Sequence, residues 1–126
     1  MSKSSQNHPF VIRSKIWIAD QDEQIVFGLG RYRILEAINR LGSLQAAAQE
    51  LKMSYRAVWC RIKTTEERLQ RDLLTRSNRG SSLTPFAKQL LKEFRRLQAV
   101  VETESDAMFT ELMADSMSLD PKDKNE

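Results

Sequence analysis

Cysteine and histidine are almost missing from these 126 residues: there is one of each, Cys60 and His8. A lone cysteine closes no internal disulfide, and a lone histidine in a polar leader has no second ligand near it. No zinc site, catalytic Ser/His/Asp or Cys/His set, or cofactor is therefore expected. Long apolar runs are missing as well. No stretch approaches the ~18 uninterrupted apolar residues that a membrane helix requires. The opening MSKSSQNHPF has none of the apolar run of a signal peptide, so a cytoplasmic location is the expectation. What remains is 40% hydrophobic, enough to bury the core of one domain with short extensions.

The net charge of +3 conceals an uneven distribution. Residues 1–51 are nearly balanced, with six basic and five acidic side chains. Residues 52–98 carry twelve basic against four acidic, whereas residues 99–126 carry two basic against eight acidic. A cationic middle of this density favours a polyanion through phosphate neutralisation and counterion release. The plainer alternative is a solvated basic face without a partner.

Residues 1–12 are short on pattern and read as a disordered leader. KIWIA (15–19) and QIVFGL (24–29) are β-rich runs flanking the acidic turn DQDEQ, which predicts a hairpin with Ile25, Phe27 and Leu29 on one face. From Arg31 the period becomes helical. Ile34, Leu35, Ile38 and Leu41 form a stripe, and Gly42 stands where a left-handed C-cap is wanted. Ser43 can cap a second, short helix carrying Leu44, Ala47, Ala48 and Leu51 on one face. After the break at Lys52-Met53, Ser54 can cap a third helix reaching about Leu69. Two helices joined this tightly, the first small and alanine-rich, have the form of a helix-turn-helix.

Leu73–Arg76 and Ser82–Thr84 read as short strands around a basic tip, Ser77–Ser81, the pattern of a wing. Thr84-Pro85 then opens a long fourth helix. Its Ala87, Leu90, Phe94, Leu97, Val101 and Met108 keep heptad spacing, interrupted by Glu104, and Leu90, Phe94, Leu97, Val101 and Met108 are the expected dimer contacts. The fold class is mainly α with small β elements: a winged helix-turn-helix with an N-terminal hairpin and a long C-terminal helix. Residues 13–98 would form the domain, 99–115 continue the helix, and 116–126 form a disordered tail.

At about 100° per residue, Val58, Ile62, Thr65 and Leu69 of the third helix cluster on its rear. Arg56, Cys60 and Lys63 lie opposite, and Ser54 and Tyr55 stand at its start. Such a helix suits a DNA major groove. Arg56 can fork onto a guanine edge, Ser54, Tyr55 and the helix N-terminus can meet phosphate, and Lys63 reaches backbone. Trp59 borders both sides, so packing and groove contact stay open. Cys60 reads as a small exposed side chain. At the wing, Arg76, Asn78, Arg79, Gly80 and Ser81 are candidates for backbone or minor-groove contact, and Ser43 and Gln45 at the second helix for phosphate.

The stretches ILEAI (34–38), GSLQAAAQEL (42–51), MSYRAVW (53–59) and SLTPFAKQLL (82–91) resemble the winged helix-turn-helix domain of ModE-type molybdate-responsive regulators, relatives of the LysR-type DNA-binding domain. The wing, NRGSS, departs in being shorter and less glycine-rich, and Ala87 stands where that family commonly has glycine. The resemblance implies a regulator that binds double-stranded DNA as a homodimer. It also places molybdate-binding modules after the fourth helix. Because 28 residues follow Gln98 and none is glycine, the expectation is a stand-alone DNA-binding domain that binds no molybdate. A different class remains open, a protein-interaction adaptor that uses the winged-helix scaffold and the acidic C-terminal segment. An enzyme is not expected, since no convergent acid/base pair or phosphate loop is present.

Overall fold

A computed structural model describes residues 9–78 and 80–118. Most of the expected leader, the wing residue Arg79 and the tail from residue 119 lie outside the described residues. The elements run β1 (Trp17–Ala19), β2 (Ile25–Gly28), α1 (Leu29–Leu41), α2 (Leu44–Leu51), α3 (Tyr55–Leu69), β3 (Leu74–Ser77), β4 (Gly80–Leu83) and α4 (Pro85–Met117). The chain divides into two compact units, residues 15–96 and residues 1–14 with 97–126.

In the first unit β1 and β2 pair antiparallel. Asp20 organises their turn: its carboxylate accepts from the amides of Asp22 (2.9 Å) and Gln24 (3.0 Å), an Asx turn. The expected shared face of Ile25, Phe27 and Leu29 does not form. The register slips between Ile18 and Ala19, Ile25 is exposed, and Leu29 already belongs to α1 because β2 runs into the helix at Gly28. Phe27 alone of the three is fully buried, edge-on to Phe94 with centroids 5.1 Å apart.

Ile34, Leu35 and Ile38 of α1 enter the core as the stripe predicts, but Leu41 is exposed in the last turn, where Gly42 (φ 81°) turns the chain away. Leu44, Ala47 and Ala48 of α2 and Val58, Ile62 and Thr65 of α3 complete the interior with Leu73, Leu83, Ala87, Leu91 and Phe94. Thr65 is a buried hydroxyl that stays satisfied, donating to the Arg61 carbonyl (2.8 Å) and accepting from Arg31 Nε (2.8 Å).

This packing corrects the expected dimer stripe. Phe94 is only 3% exposed because Phe27 and Tyr32 enclose it, so it is not available to a second copy, and Leu90 is half-buried against the core. The spacing that looked like a free heptad seam is, over its first three turns, the side by which α4 closes the domain.

In the second unit Gln98 Nε2 donates to the Ser14 carbonyl (3.1 Å). Phe109 is buried, and Ile12, Met108, Leu112 and Met113 line a groove beside it. Leu97, Val100, Met108, Leu112 and Met113 are exposed, Leu112 at 71%. The helix continues through Met117, so Ser116 and Met117 are helical rather than the start of a tail.

Candidate nucleic-acid interface

The turn between α2 and α3 is built by capping chemistry. Ser43 Oγ accepts from the Ala46 amide (2.9 Å), starting α2, and Lys52 ends it in the left-handed conformation (φ 59°). Met53 N then donates to the Ala48 carbonyl (2.9 Å), and Ser54 Oγ accepts from the Ala57 amide (3.0 Å) to open α3. Three residues thus join the two helices, with capping and turn hydrogen bonds at the junction.

With its rear held in the core, α3 presents Tyr55 (47% exposed), Arg56, Trp59 (38% exposed), Cys60 and Lys63 on the outside. Tyr55, Arg56, Trp59 and Cys60 line one shallow depression. The open question about Trp59 resolves toward the surface, where its ring lies 5.5 Å below Lys63 Nζ. Lys63 also pairs with Glu66 (3.2 Å), one turn along the helix. The lysine is half exposed, so this bond is weak enough for a phosphate to displace. Gln45 stands exposed in the first turn of α2.

The wing is narrower at its tip than the sequence suggests. β3 and β4 pair from Leu74–Leu83 to Ser77–Gly80, so strand pairing reaches into the five residues expected as the tip. Arg76 and Asn78 are exposed, whereas Gly80 and Ser81 are half-buried against the α1–α2 turn. The Ser81 amide donates to the Gly42 carbonyl (3.2 Å). Gly80 adopts φ 122°, and a Cβ there would lie 2.6 Å from the Gly42 oxygen. Glycine at 80 is thus required by close approach to the domain as well as by the hairpin.

Sequence reasoning missed two further groups. Arg31 of α1 bonds Thr65 on the flank of α3, between Arg61 and Arg68 one turn to either side. Burial first, and then the charges of Arg61 and Arg68, hold the Arg31 guanidinium below its ordinary pKa. Arg68 in turn donates to the Ile25 carbonyl. The other is Glu66, whose carboxylate accepts from the amides of Leu73 (2.8 Å) and Leu74 (3.4 Å) at the entry to β3. The i, i+4 spacing of Arg61 and Thr65 was visible beforehand, but its meeting with Arg31 depends on the crossing of α1 and α3.

Three helices, a tight turn and a two-stranded wing define a winged helix-turn-helix. The sequence profile of bacterial regulatory helix-turn-helix proteins of the lysR family matches residues 29–88, and the chain carries a winged helix-turn-helix domain of this LysR/ModE-related kind. It is 39% identical over 79 residues to the HTH-type transcriptional regulator YofA of Bacillus velezensis, covering 62% of this chain and 27% of that protein. It is 30% identical over 99 residues to the molybdenum-pterin-binding protein MopB of Rhodobacter capsulatus, covering 75% and 35%. Among solved structures, the DNA complex of the CbnR DNA-binding domain superposes with a TM-score of 0.53 at 27% identity, covering 62% of this chain and 90% of that one. The chain therefore spans about a third or less of the length of these two curated relatives. Among the described residues, no helix is long and apolar enough to cross a membrane.

Proposed function

We propose that this chain is the DNA-binding part of a transcription regulator, which places α3 in the major groove of duplex DNA and its wing against the flanking backbone. The observation that carries this reading is the exposed Tyr55–Arg56–Trp59–Cys60–Lys63 face on a helix whose rear is locked into the core. Arg56 is the base-reading residue. Ser54, Tyr55 and Lys63, with Ser43 and Gln45 at α2, meet phosphate, and Arg76, Asn78 and Arg79 do so from the wing. Residues 13–98 form the DNA-binding domain, and residues 99–115 extend its last helix. The relatives named as regulators favour this function over the adaptor.

The active species in this reading is a homodimer. Leu97, Met108 and Leu112, exposed along α4, supply its contacts with half-buried Leu90 and Val101, and buried Phe94 does not. A two-fold dimer reads a pseudo-palindrome with half-sites about one helical turn, 34 Å, or a multiple of it apart. DNA binding by these 126 residues does not depend on molybdate. The test is selection of bound genomic fragments, followed by titration of the selected duplex with and without molybdate at fixed ionic strength. One enriched two-fold sequence and an unchanged Kd are expected, and a molybdate-dependent Kd or no enrichment would refute the reading.

A further inference from the structure

We infer that Glu66 is a positioning residue that sets the angle of the wing against α3, and so the register in which helix and wing meet one duplex. The inference rests on the DNA-binding reading above. Glu66 projects from α3 on the side nearest β3, with its side chain only 11% exposed. One carboxylate oxygen accepts from the Leu73 amide at 2.8 Å and the Leu74 amide at 3.4 Å, and the other takes Lys63 Nζ at 3.2 Å. A single carboxylate thus joins the outer face of α3 to the first residues of the wing. Trp59 belongs to the same chain of contacts through Lys63.

The wing needs such a tie. A two-stranded hairpin is at best marginally ordered in water by itself, and β3 and β4 pair only with each other. Leu74 of β3 and Leu83 of β4 pack against the core, and further hydrogen bonds hold the wing on the β4 side and at its base. Ser81 N reaches Gly42 (3.2 Å), Thr84 N reaches the Leu73 carbonyl (3.0 Å), and Thr84 Oγ1 reaches the Asp72 carbonyl (2.8 Å). Glu66 provides the side-chain tie between α3 and the start of β3, and amide-to-carboxylate bonds are stronger than neutral ones. Leu73 itself is buried, so its amide has no solvent to turn to if the carboxylate is removed.

The test compares Glu66→Ala and Glu66→Gln with the unsubstituted chain. Glutamine keeps an acceptor for the Leu73 amide and gives up the charge. In the free protein, amide hydrogen exchange at Leu74, Thr75 and Ser82 is expected to quicken at least about tenfold in Glu66→Ala and less in Glu66→Gln, while Ile38 and Val58 stay protected. On duplex DNA, Glu66→Ala is expected to lose hydroxyl-radical protection beneath the wing and keep it beneath α3. The slope of log Kobs against log salt should fall by about one unit, as for one lost phosphate contact. Unchanged exchange in the wing, equal acceleration throughout the core, or an intact wing footprint would each overturn the assignment. If the unsubstituted chain binds no duplex, the functional reading fails, and the exchange experiment alone decides whether Glu66 holds the hairpin.

Discussion

A methyl group at position 80 would collide with the Gly42 carbonyl and would have to adopt φ 122°. Gly80→Ala should therefore destabilise the chain by about 1–3 kcal/mol in urea unfolding. Gly30, in the first turn of α1, has nothing within 4 Å of the place a methyl group would occupy, so Gly30→Ala should leave stability equal or raise it by about 0.5–1 kcal/mol. Opposite signs at two glycines would show that close approach, and not glycine content, governs the wing. For recognition, Arg56→Ala should lower discrimination at one base position by about 1–3 kcal/mol in competition binding, because its side chain stands on the outer face of α3. Uniform loss across all sequences would assign Arg56 to backbone instead. The turn role of Gly80 was legible in the local sequence. Its contact with Gly42 was not, since that depends on how the wing folds back onto α1.

Capping decides where the elements begin. Thr84 Oγ1 accepts from the Ala87 amide (3.1 Å) and donates to the Asp72 carbonyl (2.8 Å), so Thr84→Ala should cost about 1–2 kcal/mol, measured by thermal or urea unfolding. Arg40 bridges Glu36 on its own helix and Glu50 on α2. Its hydrogen bonds hold both carboxyls below the ordinary carboxylate range. A depressed folded pKa adds stability above the unfolded value and loses it as pH falls through the folded value. The stability gap between the unsubstituted chain and Arg40→Gln should thus be small but complete at neutral pH and close in acid. Urea curves at pH 7 and pH 3 would reveal a gap that instead widened. Most elements were legible because caps and apolar periods coincide: Ser43, Ser54, Thr84 and Gly42 each mark a boundary seen in the fold. β2 and α4 were misread where tertiary packing uses a pattern differently. Phe94 fits a heptad seam, yet Phe27 claims it for the core.

At the scale of the whole molecule, a basic domain and an acidic helical extension occur in one chain, and in the proposed function they take separate tasks, DNA contact and self-association. Substituting Leu97 and Leu112 with serine should turn a dimer into a monomer in sedimentation velocity at micromolar concentration, with the domain still folded, because both side chains are exposed. A monomeric parent protein would reject the dimer outright. The central claim is selective binding of duplex DNA by the α3 face, and its most direct measurement is fluorescence anisotropy of a genome-selected duplex against a scrambled duplex across a salt series. The account predicts tighter binding to the selected sequence at every salt concentration, with log Kobs falling linearly as log salt rises and a slope of several units. Equal affinity for the two duplexes, or affinity indifferent to salt, would contradict it.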